Sequence, residues 1–252
     1  MAYSVNNYHV FTAAGLAADD TDDQIYTKIA VWLNSLLSDI GTAEVFDVSD
    51  TLKAVRFVFN DVRAGICFGN LMTTAPERYL AGYIYSSDAT TLSVSATFTG
   101  HSITNIETVY LFVAQNENDC MLHLYTTENV ARNATVYHLK CTDSNNISKN
   151  IAFAAAYPAN STIPYYTIQA GIESICRIYN ESMTNNLIKN LAIGNQTLLT
   201  KFIMPYTDCI PEGAYLLTGN APTERTIFEL NGSKFVVPDI FDGRLIIALK
   251  LE

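Results

Sequence analysis

Charge is the scarcest ingredient of this sequence. Lys and Arg number 15 and Asp and Glu number 25 among 252 residues, which makes 16% charged residues and a net charge of −10. Typical soluble domains carry about 25% charged residues. So few basic side chains exclude nucleic-acid binding, which needs Lys and Arg to neutralise phosphates. The 49% hydrophobic residues exclude disorder, because the chain can bury enough surface to offset its conformational entropy.

Neutral polar side chains take the place of the missing charges. The sequence contains 26 Thr, 21 Asn and 15 Tyr. Such residues can be buried at a protein–protein contact and still form hydrogen bonds, whereas a buried charge costs more to desolvate. The centres of interfaces are likewise poor in Lys, Glu and Asp and rich in aromatic residues. The composition therefore indicates a protein built for permanent assembly.

Long apolar runs are also missing, and no secretory leader is expected. No stretch approaches the roughly 18 apolar residues of a membrane span, so we expect no membrane partner. The cysteines are odd in number and irregularly spaced, which predicts reduced thiols made in a cytosol and not a disulfide framework. They are Cys67, Cys120, Cys141, Cys176 and Cys209.

Recognisable catalytic motifs are absent as well. The sequence has no Gly-x-Ser-x-Gly elbow, no P-loop and no Gly-x-Gly-x-x-Gly. Glycosidase chemistry needs two carboxylates in one cleft, and the acidic residues offer no pattern that singles out a pair. We therefore expect no enzyme activity, no catalytic or cofactor-binding residue and no cofactor.

One constellation has the spacing of a metal site. Cys120-x-x-His123 and His138-x-x-Cys141 supply four soft ligands, as structural zinc requires. A hairpin centred between residues 130 and 131 would pair Cys120 with Cys141 and His123 with His138. Residues three apart on a strand point to opposite faces, so the four ligands could not converge. We expect no metal here and predict a contact between the two reduced cysteines.

The clearest local prediction is a helix near the N-terminus. Thr21 and Gln24 form a capping box, and the aspartates among residues 19–23 suit the positive end of the helix dipole. Gly41 is expected to end the helix as its C′ residue. The apolar stripe packs on the protein's own sheet in one interpretation and is reserved for a partner in the other. It comprises Ile25, Ile29, Trp32, Leu33, Leu36 and Leu37.

Most of the remaining chain alternates with period two, which predicts strands. Residues 142–150 are polar and form either a boundary or a long exposed loop. Apolar spacing between residues 172 and 193 favours a second helix, although the Asn and Thr residues at 184–186 weaken it. Asn231-Gly232 predicts a type I′ hairpin turn. Further strands are expected at 55–59, 79–85, 91–99, 107–114, 120–125, 135–141, 151–157, 213–218, 227–230, 233–237 and 244–251.

The predicted class is α+β and predominantly antiparallel β. We expect sandwich-like or barrel-like sheets, one amphipathic N-terminal helix and a second helix near 172–193. Residues 1–252 are expected to form one structural unit, with a division into 1–142 and 151–252 around the polar stretch as the alternative.

The C-terminal segments carry a resemblance to a known class of proteins. Residues 213–217 (GAYLL), 228–235 (FELNGSKF) and 243–251 (GRLIIALKL) are short hairpin strands that end in an Arg-led closing strand. This succession resembles the structural proteins of tailed-bacteriophage virions, of the tail, baseplate or collar kind. The resemblance implies a virion component, assembled in the host cytoplasm, that forms a ring or symmetric multimer with itself, docks to other virion proteins and has no enzyme activity.

Two other functions remain open. In the first, the protein is a receptor- or glycan-binding module of a phage tail tip or head fibre, and the Asn/Asp-rich stretches 116–119 and 143–150 form its contact set. In the second, it is an enzyme such as a cell-wall hydrolase, which the absence of a motif disfavours.

Overall fold

The described part of the chain consists of antiparallel sheets and two helices. The computed structural model describes residues 3–49, 52–60, 64–69, 79–88, 91–97, 101–102, 109–126, 134–156, 165–169, 176–178, 198–201, 209–218, 222–238 and 246–252. The predicted class, α+β and predominantly antiparallel β, is confirmed. The elements are β1 (Ser4–His9), α1 (Val10–Ala13), α2 (Asp22–Leu37), β2 (Gly41–Ser49), β3 (Leu52–Phe59), β4 (Ala64–Gly69), β5 (Tyr79–Asp88), β6 (Thr91–Thr97), β7 (His101–Ser102), β8 (Val109–Gln115), β9 (Cys120–Thr126), β10 (Ala134–Thr142), β11 (Ser148–Ala156), β12 (Tyr165–Gln169), β13 (Cys176–Ile178), β14 (Leu198–Thr200), β15 (Ile210–Pro211), β16 (Ala214–Thr218), β17 (Ile227–Leu230), β18 (Ser233–Val236) and β19 (Ile246–Lys250).

A large central sheet organises the fold. Its strands follow the order β1-β8-β9-β10-β11-β12-β13, and β15 pairs with the end of β10. Neighbouring side chains of a strand point to opposite faces, so β8 sends Leu111 and Val113 to one face and Phe112 and Ala114 to the other. All four are buried, which means that both faces of this sheet are covered.

The first face is covered by α2 and by a second sheet of order β2-β3-β4-β5-β6, in which β7 also pairs with β5. Ile29 and Leu33 of α2, Phe57 of β3 and Leu122 of the central sheet belong to one buried cluster. The helix stripe therefore packs on the protein's own sheets, as the first interpretation expected. Val31 lies on the exposed side of α2.

The second face is covered by the C-terminal sheet, whose order is β14-β16-β19-β18-β17. Leu216, Ile247 and Leu249 of this sheet share a buried cluster with Phe112 and Tyr137 of the central sheet. The Tyr137 hydroxyl donates a 3.1 Å hydrogen bond to the Ile247 carbonyl, which ties the two layers together.

The N-terminus of α2 forms as predicted, but its C-terminus differs. Thr21 and Gln24 make both bonds of the capping box. The helix ends with Ser38 as its C-cap, and Gly41 is the first residue of β2. Gly41 is required there by close approach, because a Cβ atom would overlap the Phe57 ring and the Val58 carbonyl.

The structure corrects two further expectations. The polar stretch 142–150 is a short turn at 143–147 flanked by the paired strands β10 and β11, with Thr142 opposite Ser148. The second helix is wrong at residues 176–178, which form β13 and pair with β12. The rest of 172–193 lies outside the described residues. A short apolar run fits a helix or a buried strand equally well, and pairing with β12 decides for the strand.

The turn at residues 231–232 is confirmed. Asn231 and Gly232 both have positive φ, at 52° and 77°, as a type I′ turn requires. The strands predicted at 120–125 and 135–141 also form, as β9 and β10. Among the described residues, no helix is long and apolar enough to cross a membrane.

Candidate functional site: a polar pocket at one end of the central sheet

An open pocket of about 410 Å³ lies where the β8–β9 turn meets the segment after α2, the residue after β3, and the strands β10 and β11. This volume falls within the range of small-ligand pockets. Most of its lining is uncharged and polar, and the charged members are mainly acidic. The lining residues are Asp39, Ile40, Asn60, Gln115, Asn116, Glu117, Asn118, Asp119, Cys120, His138, Lys140, Ser148 and Asn150.

Asn116 shapes the turn that forms one wall. Its side-chain oxygen accepts hydrogen bonds from the backbone N–H groups of Asn118 and Asp119, each at 2.8 Å. Its amide nitrogen donates to the Lys250 carbonyl at 2.7 Å. Asn bonding to the backbone two and three residues onward is a common way to close a turn. One side chain thus sets the turn and ties it to the C-terminal strand β19.

Asp119 is the buried carboxylate of the pocket, only 4% exposed. One oxygen accepts a 2.8 Å bond from the Lys140 backbone N–H, and the other accepts from the Asn116 amide at 3.3 Å. Burial raises the pKa of Asp119, and these two hydrogen bonds partly counteract the rise. Each oxygen of this buried carboxylate therefore accepts one hydrogen bond, which holds the side chain in place between the turn and β10.

The same carboxylate contacts the segment that leads into the C-terminal sheet. A Cβ atom on Gly213 would overlap Asp119 Oδ2, so any side chain at this position would have to displace the carboxylate. Next to it, Lys140 forms a 3.2 Å ion pair with Glu212, whose backbone N–H donates to the Lys140 carbonyl at 2.9 Å. Asp119, Gly213 and Glu212 therefore lock the central and C-terminal sheets together beside the pocket.

The floor of the pocket is less polar than its walls. Cys120 and His138 are buried there, and the His138 ring stacks on Phe59 at 4.9 Å between centroids. Burial raises the pKa of the Cys120 thiol well above its ordinary value, so the group stays a protonated thiol. Such a thiol is a poor nucleophile, because the thiolate is the reactive form.

The four Cys and His residues do not pair as predicted. Cys120 lies opposite His138, and His123 lies opposite Thr135, which shifts the register by three residues. Cys120 and His138 therefore share the face toward α2, while His123 and Cys141 lie on the other face. The expected contact between Cys120 and Cys141 is wrong. In the part of the chain that the structure describes, no group of three or more His, Cys, Asp or Glu could hold a metal ion.

His123 and Arg225 belong to an aromatic stack on the face toward the C-terminal sheet. The rings of His9, Tyr110, Tyr125 and His123 stack in sequence at 5.0, 5.1 and 5.4 Å. The Arg225 guanidinium lies 4.0 Å from the centroid of Tyr125. No local sequence pattern indicates this stack, because it joins residues from three strands and a distant turn.

The imidazole of His123 is fully buried, and only one of its two ring nitrogens has a hydrogen-bond partner among the described residues. Its Nδ1 lies 2.8 Å from the Thr135 hydroxyl, and its Nε2 has no hydrogen-bond partner among the residues that the structure describes. Burial lowers the pKa of His123 to about 3, and the charge of Arg225 adds to the decrease. The residue is therefore neutral at physiological pH.

The pocket brings together residues that the sequence had only partly indicated. The predicted stretch 116–119 forms one wall, and Ser148 and Asn150 of the stretch 143–150 lie across from it. Asp39, Asn60 and Gln115 were missed, since no local pattern shows that the end of α2 and the end of β3 meet this turn.

A scan against protein-family models finds no match, and searches of curated proteins and of solved structures find none either.

The contact between Gly213 and Asp119 predicts a coupled pair of mutations. Gly213→Ala should lower the free energy of unfolding by about 1–3 kcal/mol, because the new methyl group displaces the carboxylate. In an Asp119→Ala background the same change should cost much less, since the overlapping atoms are gone. Urea unfolding of the parent, both single variants and the double variant measures the coupling. Strictly additive effects would contradict the contact.

The neutral His123 predicts a loss of stability in acid. Between pH 6.5 and about 3 the unfolded chain binds a proton at His123 that the folded chain does not, so folding stability falls as the pH decreases. The slope approaches about 1.4 kcal/mol per pH unit. His123→Phe should remove this part of the slope, as measured by urea unfolding from pH 7 to pH 4.

A matched control separates this effect from general destabilisation. Leu122→Ala, at the neighbouring buried position on the opposite face, should lower stability at every pH and keep the parent's slope. Asp119 titrates with the opposite sign, because its raised pKa favours the folded state in acid, and it contributes equally to parent and variant. Identical pH profiles for the parent and His123→Phe would refute the assignment.

Proposed function

We propose that this protein is a non-enzymatic structural component of a tailed-bacteriophage virion, of the tail, baseplate or collar kind. It acts through self-association and docking to neighbouring virion proteins. The composition supports this function, and so does the resemblance of the C-terminal segments to such proteins. Residues 214–217, 228–230 and 233–235 of those segments belong to the C-terminal sheet. The observation that carries the proposal is the outer face of this sheet.

The outer face is the side turned away from the central sheet, and it is apolar. Leu217, Phe235, Val237 and Ala248 are buried on it. Partly buried side chains surround them, namely Leu199, Tyr215, Phe228 and Leu230. Among the described residues, this cluster contains only members of the C-terminal sheet and the residue that follows β18. Because the four central side chains are already buried within the chain, the apolar surface left for a second protein is the rim formed by Leu199, Tyr215, Phe228 and Leu230.

The edge of the same sheet suits pairing with a second copy. Within the described part of the chain, β17 has a hydrogen-bonded neighbour only on the side of β18. Its sequence, IFEL, contains neither Lys nor Pro, the residues that commonly protect an edge. Two copies related by a two-fold axis could pair their β17 strands antiparallel and join their outer faces.

This arrangement predicts a multimer that depends on Leu230. The parent should sediment as a multimer at micromolar concentration. Leu230→Lys should sediment as a smaller species, because a charge on the outer face must be desolvated on association. Sedimentation velocity measures both, and thermal unfolding checks that the variant folds.

The control is Ile147→Lys, which changes an exposed side chain in the turn between β10 and β11. This variant should sediment like the parent. A parent that remains monomeric at high concentration would argue strongly against the structural function. Mass spectrometry of the native complex would give its copy number and show whether other virion proteins are bound.

A second candidate function is attachment to a host surface. The polar pocket favours it, because the structure gathers residues of both predicted contact stretches, 116–119 and 143–150, around one opening. In this function the protein is a receptor- or glycan-binding module of the same kind of particle.

Attachment predicts that the labelled, full-length protein binds intact cells of the host. Asn118→Ala should reduce the bound fraction, since Asn118 lines the pocket and is exposed. Flow cytometry measures the bound fraction, with unlabelled protein as competitor. Absence of saturable binding to any host cell leaves only the structural function.

A further inference from the structure

We infer that the polar pocket binds an uncharged saccharide. The inference rests on the second candidate function and specifies its ligand. Three features support it: which amides of the pocket are unoccupied, the sign of its charge, and the rigidity of its walls.

The pocket presents amide groups that no described residue of the chain engages by a hydrogen bond. The side chain of Asn116 already forms hydrogen bonds with the backbone of the turn and with the Lys250 carbonyl. In contrast, no hydrogen bond between described residues engages the side-chain amides of Asn60, Gln115 or Asn118. A primary amide offers both donors and an acceptor, so it can bond to a hydroxyl group in either direction. Several such amides around one cavity suit a ligand that carries neighbouring hydroxyl groups.

The charges of the pocket disfavour an anion. Asp39, Glu117 and Asp119 are acidic, while the lining contains one lysine, Lys140, whose ammonium is paired with Glu212. The whole chain adds to this field with its net charge of −10. Sialic acid, uronic acids, sulfated sugars and phosphates would therefore meet repulsion without a free cation to bind. A neutral hexose or N-acetylhexosamine would not meet this repulsion.

The walls are held in place before any ligand arrives. Asn116 and Asp119 are fixed by backbone hydrogen bonds, and the floor residues Cys120 and His138 are buried in the sheet. Ile40 and the edge of the floor supply apolar contact for the C–H face of a sugar ring. A preformed site loses little entropy on binding, which matters for weak polar ligands.

The test uses a glycan array with neutral hexose and N-acetylhexosamine oligosaccharides beside sialylated and sulfated versions of the same chains. The full-length protein should bind members of the neutral set and not their charged versions. The double variant Asn60→Ala/Asn118→Ala should bind the best neutral glycan about tenfold more weakly, as measured by titration calorimetry, because it loses one or two hydrogen bonds.

The matched control is Asn6→Ala, which removes an exposed amide from β1, outside the pocket lining and outside both contact stretches. It should bind like the parent. Preference for charged glycans, unchanged affinity of the double variant, or no glycan binding would each overturn the inference. If intact cells bind the protein while every glycan fails, attachment stands and the saccharide is wrong. If neither binds, both are wrong.

Discussion

The central sheet must be covered on both faces, and the rest of the molecule follows from that requirement. Its strands alternate between two sets of apolar side chains, such as Leu111 and Val113 on one side and Phe112 and Ala114 on the other. At roughly 25 cal/mol for each Å² removed from water, neither set could remain exposed. The helix α2 and the second sheet cover one face, and the C-terminal sheet covers the other.

This layered arrangement leaves the ends of strands as the place for polar chemistry. The turn closed by Asn116 and the carboxylate of Asp119 lie at such an end, where three layers meet and a pocket remains. Asp119 is tolerated in the interior because two donors satisfy it. His123 has no such compensation at Nε2, and its low pKa keeps the ring uncharged. The interior thus accepts polar groups only when they are bonded or neutral.

In the structure, the shortage of charged residues is evident on the two faces of the C-terminal sheet. The C-terminal sheet has an apolar inner face against the central sheet and an apolar outer face that includes Tyr215, Phe228 and Leu230. In our proposal the outer face is covered by association, and the uncharged amides of the pocket contact a ligand that carries no charge. Both proposals use the same property of the composition, which is that neutral polar and aromatic groups are cheaper to desolvate than ions.

Local signals were sufficient where neighbours in sequence make the interaction. The capping box of Thr21 and Gln24 and the turn at Asn231-Gly232 formed as predicted, because each depends on three or four consecutive residues. The register of β9 and β10 was not predictable, since both faces of these strands are apolar and a shift leaves burial nearly unchanged. The strand at residues 176–178 and the pocket depended on tertiary structure too. Sequence determined the elements and their apolar faces, whereas pairing and burial between distant segments decided which faces and side chains meet.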